Sequence, residues 1–388
     1  MIMPRWVKVL TCSTFVILWY LALQPIWNNH LQVDIWVFWE RLNYYLTHSH
    51  SFAGLTGNEI LPATLMYMFI PTALIPRGML NYGNYLPAML LTNLIILVFH
   101  WLIVKDEKTL LILLLGLGPI LLFRFDGLVT LLMLGSFLTF TKEKYPISGF
   151  LLGLSTGMKV FPIIFVPYLV WILLLKRQTK NLLGFLIFFS EALLLPVMAF
   201  LLLGGNLTQI VSALSFHGQK LISIESLPGS LITGWSLLAK GMPPALLPGN
   251  GIWAVAGPAA LLNRLWMIPI GVVYVLILTR DKMLVKFNWN VPLVIMLLFL
   301  VFSKNLNPQY MWWFMAILPF TRPSRLIVVL TFAAALLNQL VFPIFYTAFV
   351  DNFFQQNQSY WIFYLLVLRN LGILGIAYLS VKKLWHEQ

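Results

Sequence analysis

The chain alternates between long apolar runs and short polar segments. Because a bilayer leaves no partner for exposed backbone groups, apolar runs of spanning length form helices, and the pattern predicts an all-α polytopic membrane protein. Thirteen runs reach or approach that length. They cover roughly residues 9–26, 60–76, 85–104, 109–123, 127–141, 147–158, 161–175, 181–203, 260–279, 288–303, 308–320, 325–343 and 360–381.

Basic residues between the runs indicate how they are oriented. If Arg5 and Lys8 lie inside and all thirteen runs cross, the basic clusters at 142–144, 176–180 and 280–286 fall outside. That arrangement opposes the rule that Lys and Arg collect on the inner side of a membrane. One of the runs is therefore predicted not to span.

The run at 60–76 is the best candidate for a segment that does not cross. It is short, and it contains Pro62, Pro71 and Pro76. We expect an interfacial or re-entrant helix on the outer side, because proline interrupts a helix and frees backbone groups. About twelve transmembrane helices then remain, and both termini lie inside.

The same topology places two long segments outside, at 27–84 and 204–259, each with Trp, Gly and Pro among polar residues. They form the predicted active-site face of a single domain that covers residues 1–388. The run at 9–26 follows a basic flank but has no small-residue cleavage site, so we interpret it as an uncleaved first helix.

Composition narrows the class of protein. Of 388 residues, 60% are hydrophobic and 10% are charged, which excludes an ordinary soluble domain. The net charge of +13 comes from clusters between apolar runs, not from one basic face, so no nucleic-acid partner is predicted. Cys12 is the only cysteine, and neither a disulfide framework nor a cysteine metal site is expected.

Several polar residues are predicted at the outer surface, near the ends of different spans. Ionisable groups at such positions are costly unless they are paired or functional, so their convergence indicates a site. The candidate site residues are Asp34, Glu59, Arg124, Asp126, Lys159, His217, Lys220, Glu225, Lys304, Gln309 and Tyr310.

Simpler interpretations remain open for several of these residues. Arg124 and Asp126 could form a local ion pair at a turn between two spans, and Lys159 could extend its ammonium group to the membrane surface. His217, Lys220 and Glu225 could belong to a solvated interfacial helix. The pair Trp312 and Trp313 is predicted as an interfacial belt in preference to a platform for a sugar.

A glycine repeat precedes Lys159. Gly149, Gly153 and Gly157 are four residues apart, so they share one helix face and predict close packing against another helix. Lys159 and Pro162 are expected to end that helix at the outer surface.

Six separated motifs together resemble one family. They are Asp34 after the first run, then NEILPATLMYMFIPTALIP, RFDGLVTLL, GFLLGLSTGMKVFPIIFVPYL, HGQKLISIESLPGS and NPQYMWWFMAILP. The order resembles the GT-C superfamily of integral-membrane glycosyltransferases, and within it the polyprenyl-phosphate-mannose-dependent mannosyltransferases. The resemblance covers roughly residues 30–320.

The resemblance implies a GT-C-like fold with outer interfacial helices and a catalytic aspartate in the first outer segment, at Asp34. It also implies a substrate-binding role for Glu59, although one proline, Pro62, follows where the family has two. It further implies transfer of mannose from a polyprenyl-phosphate donor to a glycolipid or glycan acceptor. Arabinose, glucose or galactose on the same lipid phosphate would fit the residues equally well.

Such a transfer requires a base for the acceptor hydroxyl and cations for the leaving phosphate. Asp34 is the predicted base, and Lys159, Lys220, Arg124 and Lys304 are the predicted cations. A single displacement assisted by one base predicts inversion at the anomeric carbon. Trp36, Phe38 and Trp39 are expected either to shield the base from water or to form a simple aromatic belt.

No cofactor and no metal site are predicted, because the chain has no metal-ligand spacing and no glycine-rich phosphate loop. We expect a bacterial cytoplasmic membrane protein with its site facing outward. A polytopic lipid or glycan transporter or flippase is the main alternative, and a noncatalytic membrane scaffold is a second one. Neither a sequence repeat nor midplane charges, which transporters often have, are evident.

Overall fold

Helices make up nearly all of the regular structure. The computed structural model describes residues 5–55, 60–104, 106–249, 252–255, 265, 267–279, 286–354 and 360–386. In the first half of the chain the helices are α1 (Arg5–Leu23), α2 (Pro25–Leu31), α3 (Val33–Thr47), α4 (Pro62–Tyr67), α5 (Tyr82–Ile103), α6 (Glu107–Leu117), α7 (Asp126–Thr141), α8 (Tyr145–Met158), α9 (Val166–Leu175) and α10 (Thr179–Leu202).

The second half continues with eight more α-helices in the described residues. They are α11 (Leu207–Gln219), α12 (Leu227–Lys240), α13 (Met267–Leu278), α14 (Asn290–Phe302), α15 (Met311–Met315), α16 (Arg325–Gln339), α17 (Tyr346–Phe354) and α18 (Trp361–His386). Short 3-10 turns extend several of these helices, at Ile70–Leu74, Gly118–Phe123, Phe161–Phe165, Pro308–Tyr310 and Leu318–Phe320, and a π turn follows α16 at Leu340–Ile344.

The all-α prediction needs one addition, since two short strands pair in the second outer segment. Strands β1 (Leu246–Gly249) and β2 (Ile252–Val255) are antiparallel, and Leu246 lies opposite Val255. The prediction missed them because each strand has only four residues.

Four of the described helices are long and apolar enough to cross a bilayer, and six spans result if each of two bent helix pairs counts as one. The four are Tyr82–Ile103, Thr179–Leu202, Arg325–Ile344 and Trp361–His386, where the third includes the π turn. These segments are typical of an integral membrane protein. The bent pairs join Val9–Leu23 to Pro25–Leu31 at 72° and Glu107–Phe123 to Asp126–Thr141 at 117°.

Polar side chains cap the N-termini of several helices. Asn81 accepts a hydrogen bond from the Asn84 amide at the start of α5, and Asp106 does the same for Thr109 at the start of α6. These caps satisfy backbone donors that have no partner within the first turn of a helix.

The proline-rich run at 60–76 is broken, as its composition predicts. Helix α4 covers only six residues, and the 3-10 turn Ile70–Leu74 follows it. The hydroxyl of Thr64 donates to the Met158 carbonyl at 2.6 Å, which fixes α4 against the end of α8. This contact places α4 beside the end of α8, where Lys159 follows Met158.

The two predicted outer segments contact each other. The Phe52 amide donates to the Leu203 carbonyl at 2.8 Å, and the side chain of Gln209 donates to the carbonyls of Phe52 and Leu55. Gln209 also takes part in the capping box with Asn206 that starts α11. The segments at 27–84 and 204–259 are therefore joined directly through Gln209.

Helices α8 and α10 pack closely through the glycine repeat. A Cβ at Gly149 would lie 2.1 Å from the Phe185 carbonyl oxygen, and one at Gly153 would lie 2.3 Å from that of Phe189. At Gly157 the nearest atom is the Ala63 Cβ at 3.5 Å, an ordinary contact. Two of the three glycines thus permit backbone contact, and the third faces α4.

We expect Gly149→Ala to lower the stability of the protein, because the new methyl group would meet fixed backbone. The cost of overpacking is about 1–3 kcal/mol. Gly157→Ala is the matched control, and it should be neutral or slightly stabilising since alanine favours helix. Thermal unfolding of both variants in one detergent measures the difference, and equal midpoints would contradict the packing described above.

Candidate functional site

Arg124 and Asp126, in the turn at residues 124–126, form ion pairs with two different residues. The Nη1 atom of Arg124 lies 2.6 Å from Asp34 Oδ2, and Lys159 Nζ lies 2.8 Å from Asp126 Oδ1. The local Arg124–Asp126 ion pair is therefore the wrong interpretation. The bend between Glu107–Phe123 and Asp126–Thr141 places each side chain against a distant segment.

Asp126 is the most deeply buried of these groups. Its side chain has no exposed surface, and Oδ1 accepts hydrogen bonds from Lys159 and from the Trp313 indole at 2.6 Å. Its position at the start of α7 adds the favourable end of the helix dipole. Burial of a carboxylate is tolerated only with such partners, so Asp126 fixes the positions of Lys159 and Trp313.

Trp313 is enclosed on both faces. Its ring stacks on Phe161 at 3.8 Å and on Tyr310 at 3.9 Å between centroids. Trp312 and Trp313 are 0% and 2% exposed, so the prediction of an interfacial belt is wrong. Stacking against a sugar is also ruled out for Trp313 in this arrangement, because no ring face is open.

Lys159 ends α8, as the sequence predicts, but it does not extend freely into solvent. Its ammonium group lies 4.8–5.0 Å from the ring centroids of Phe125, Tyr310 and Trp313, and its side chain is 19% exposed. Cation–π attraction strengthens when water is excluded. Aromatic rings and one carboxylate thus hold the lysine at the edge of a cavity.

That cavity has a volume of about 530 Å³ and lies between α4, α8, α11 and α14. Three lysines line it, namely Lys159, Lys220 and Lys304. The rest of its described lining is mostly apolar, with Thr64, Ser303, Asn305 and Tyr310 as polar members and no acidic residue. The cavity therefore brings basic and apolar side chains together. Apolar side chains that are 43–48% exposed also line it, at Val160, Ile163, Leu214 and Met267.

Lys304 and Lys220 reach the cavity from neighbouring segments. Lys304 Nζ donates to the Gly218 carbonyl at 3.1 Å, and the Ser223 amide donates to the Lys304 carbonyl at 2.8 Å. Burial lowers the pKa of Lys304, which is a residue between spans. The ammonium group of Lys220 lies 4.9 Å from the Phe216 ring.

Asp34 stands in the first turn of helix α3, so most of the first outer segment around it is helical. The side chain is 40% exposed, which leaves the carboxylate accessible while Arg124 holds it. Asp34 does not line the cavity directly.

The aromatic residues next to Asp34 have a packing role. Trp36 and Trp39 contact the ring of Tyr82 on α5, at 4.7 and 6.4 Å between centroids. Phe38 is buried against Phe125 at 5.8 Å. These contacts hold α3 in place, and Phe125 connects it to the wall of the cavity.

Of the predicted site residues, Lys159, Lys220, Lys304 and Tyr310 line the cavity, whereas Asp34, Arg124, Asp126, Glu225 and Gln309 do not. Gln309 is 7% exposed in the 3-10 turn Pro308–Tyr310, and Glu225 lies in the segment before α12. Glu59 lies outside the described residues, as does the side chain of His217.

Sequence reasoning missed Phe125, Phe161, Trp313 and Arg369 as parts of the site or its support. Arg369 is 1% exposed within the apolar helix α18, and a charge inside an apolar run is the signal that could have identified it. The aromatic residues carry no such signal, because buried rings are common in any membrane protein. Within the described residues, no group of three or more His, Cys, Asp or Glu could hold a metal ion.

No protein-family model, no curated protein and no solved structure matches this chain.

The buried Asp126–Lys159 pair predicts a strong non-additive effect on stability. Lys159→Met should destabilise the protein by about 3 kcal/mol, because it leaves a buried carboxylate without its cation. Adding Asp126→Asn should restore part of that loss. Unfolding of the two single variants and the double variant in detergent gives the coupling energy, and simple additivity would contradict a direct pair.

The raised pKa of Glu225 predicts that the stability of the protein depends on pH. Burial raises its pKa from 4.5 to about 6, and the positive charge of Arg369 opposes that rise. Since the folded chain then binds this proton more tightly than the unfolded chain, the stabilisation is full below pH 4.5 and is lost as pH rises through 6. The loss is at most about 2 kcal/mol, at 1.36 kcal/mol per pKa unit. Unfolding measured from pH 4.5 to 7 should therefore show a steeper fall in stability for the wild type than for Glu225→Gln.

Proposed function

We propose that this chain is a membrane glycosyltransferase that resembles the GT-C superfamily and has about twelve spans. It transfers a sugar, by resemblance mannose, from a polyprenyl-phosphate donor to a glycolipid or glycan hydroxyl. The reaction takes place on the extracytoplasmic side of a bacterial cytoplasmic membrane, with inversion at the anomeric carbon.

The observation that carries the proposal is the combination of charge and apolar surface in one cavity. Lys159, Lys220 and Lys304 line a space of about 530 Å³ whose remaining walls are mostly apolar. A lipid phosphate has the complementary chemistry, an anionic head joined to a hydrocarbon chain. Exposed apolar residues along the lining suit a substrate that enters from lipid.

Asp34 is the proposed general base. It takes the proton of the acceptor hydroxyl while the hydroxyl oxygen attacks the anomeric carbon, and the bond from that carbon to the phosphate oxygen breaks. The electron pair leaves with the phosphate, whose growing negative charge the cavity lysines stabilise. Arg124 orients the Asp34 carboxylate through their 2.6 Å ion pair.

The burial of Asp126 supports inversion in preference to a double displacement. A retaining route needs a second carboxylate that can reach the anomeric carbon as a nucleophile. The side chain of Asp126 has no exposed surface, so neither of its carboxylate oxygens is open to a substrate. Among the described carboxylates around the site, Asp34 therefore fits the chemical role better.

The proposal is tested by supplying radiolabelled polyprenyl-phosphate sugars to membranes that contain the protein. Wild type should move one label to an acceptor, and Asp34→Asn should reduce that rate by roughly 10²- to 10⁴-fold, the usual contribution of a general base. Glu40→Gln is the matched control, because Glu40 is an exposed acid on the same helix. Thermal unfolding of each variant separates loss of activity from loss of fold.

Parallel donors carrying mannose, glucose, galactose or arabinose identify the sugar. Wild-type turnover by Asp34→Asn would contradict the assignment of the base. Movement of intact donor lipid across the bilayer without transfer of label would instead support a flippase.

A further inference from the structure

A second buried polar cluster lies outside the cavity, where the last helix meets the segment before α12. Arg369 and Asn370 on α18 and Asn338 on α16 are each no more than 1% exposed. Their helices are otherwise apolar and long enough to span a membrane. A charged side chain in such a helix is costly, and an apolar residue of similar volume would often pack at lower cost, so its presence calls for a role.

Arg369 joins three chain segments through one guanidinium group. One nitrogen, Nη1, donates to Asn338 Oδ1 at 2.9 Å, while Nε and Nη2 donate to Asn370 Oδ1 at 3.1 and 2.9 Å. Nη2 also donates to the Glu225 carbonyl. Asn370 adds hydrogen bonds to the same carbonyl and to Ser230 Oγ at 3.2 and 2.9 Å.

The network continues from Arg369 to the wall of the cavity. Asn338 Nδ2 donates to the Pro308 carbonyl at 3.2 Å, in the turn that presents Tyr310 to the cavity. On the other side, the segment fixed at Glu225 also holds the Lys304 carbonyl through the Ser223 amide. One cation thus connects the segment at 220–226 with the turn Pro308–Tyr310.

We propose that Arg369 is a positioning residue that sets the separation between these two walls, and with it the placement of Lys220 relative to Tyr310. A planar fork with several donors suits this task, because it can satisfy acceptors on three segments at fixed angles. Without it, the side-chain oxygens of Asn338 and Asn370 would lose their donor while remaining buried. The kinetic consequence rests on the function proposed above, whereas the separation of the walls does not.

The separation can be measured in the full chain with two spin labels. Cys12 is the only cysteine, so Cys12→Ser gives a cysteine-free background, and labels then go on cysteines at Gln219 and Asn307. We expect Arg369→Gln to broaden or shift the distance distribution between them. A control pair at Lys144 and Lys180, at the starts of α8 and α10, should not change.

Two further variants keep the test decisive. Arg369→Lys retains the charge but lacks the planar fork. Its distribution of label distances should therefore lie between those of wild type and Arg369→Gln. This variant replaces Arg369→Gln in the test if the glutamine variant does not fold. Ser380→Ala removes a buried polar group from the same helix outside the network, and its distribution should match wild type. Unchanged site distances in both arginine variants would overturn the proposal, as would equal changes in both label pairs.

Kinetics separate positioning from a purely structural role. Misplaced walls should raise the KM for the polyprenyl-phosphate donor about 10-fold in Arg369→Gln, the scale expected when a supporting contact of a site is lost. General loss of folded protein would instead lower the maximal rate and leave KM unchanged, which would count against positioning. If wild type transfers no sugar from any donor, the proposed function fails, and the label distances still decide the role of Arg369.

Discussion

Neutralisation of one buried carboxylate is the constraint on which the site depends. Asp126 has no exposed surface, so its charge must be balanced within the fold. Lys159 supplies the cation and Trp313 supplies a second hydrogen bond. Both side chains also line the cavity, and the rings of Phe161 and Tyr310 enclose the indole. A buried ion pair thus determines the shape and charge of one wall.

The same turn also holds the proposed base. Arg124 lies two residues before Asp126 and pairs with Asp34, whose carboxylate remains partly exposed. Phe125 stands between them, lines the cavity and contacts Phe38 on the helix of Asp34. Residues 124–126 thus contact both Asp34 and Lys159. The separation between these two side chains is therefore fixed by three consecutive residues.

Much of the local structure could be predicted from residue pattern. The run with Pro62 and Pro71 is broken as expected, and the glycines at 149 and 153 permit close contact between helices. The same reasoning failed for the tryptophan pair, because belt and core tryptophans occur in similar apolar runs. It also overlooked Arg369, whose role depends on acceptors from three segments far apart in sequence.

The sequence by itself determined the class of protein and most helices, because hydrophobicity and capping act over a few residues. It also selected Asp34, Arg124, Asp126 and Lys159 as unusual, since charges beside apolar runs are costly. Only the tertiary structure decided how they pair. Arg124 and Asp126 are two residues apart yet bind different partners, at a turn where the chain bends by 117° between two helices. Ion pairing depends on distance in space, which spacing along the chain does not specify.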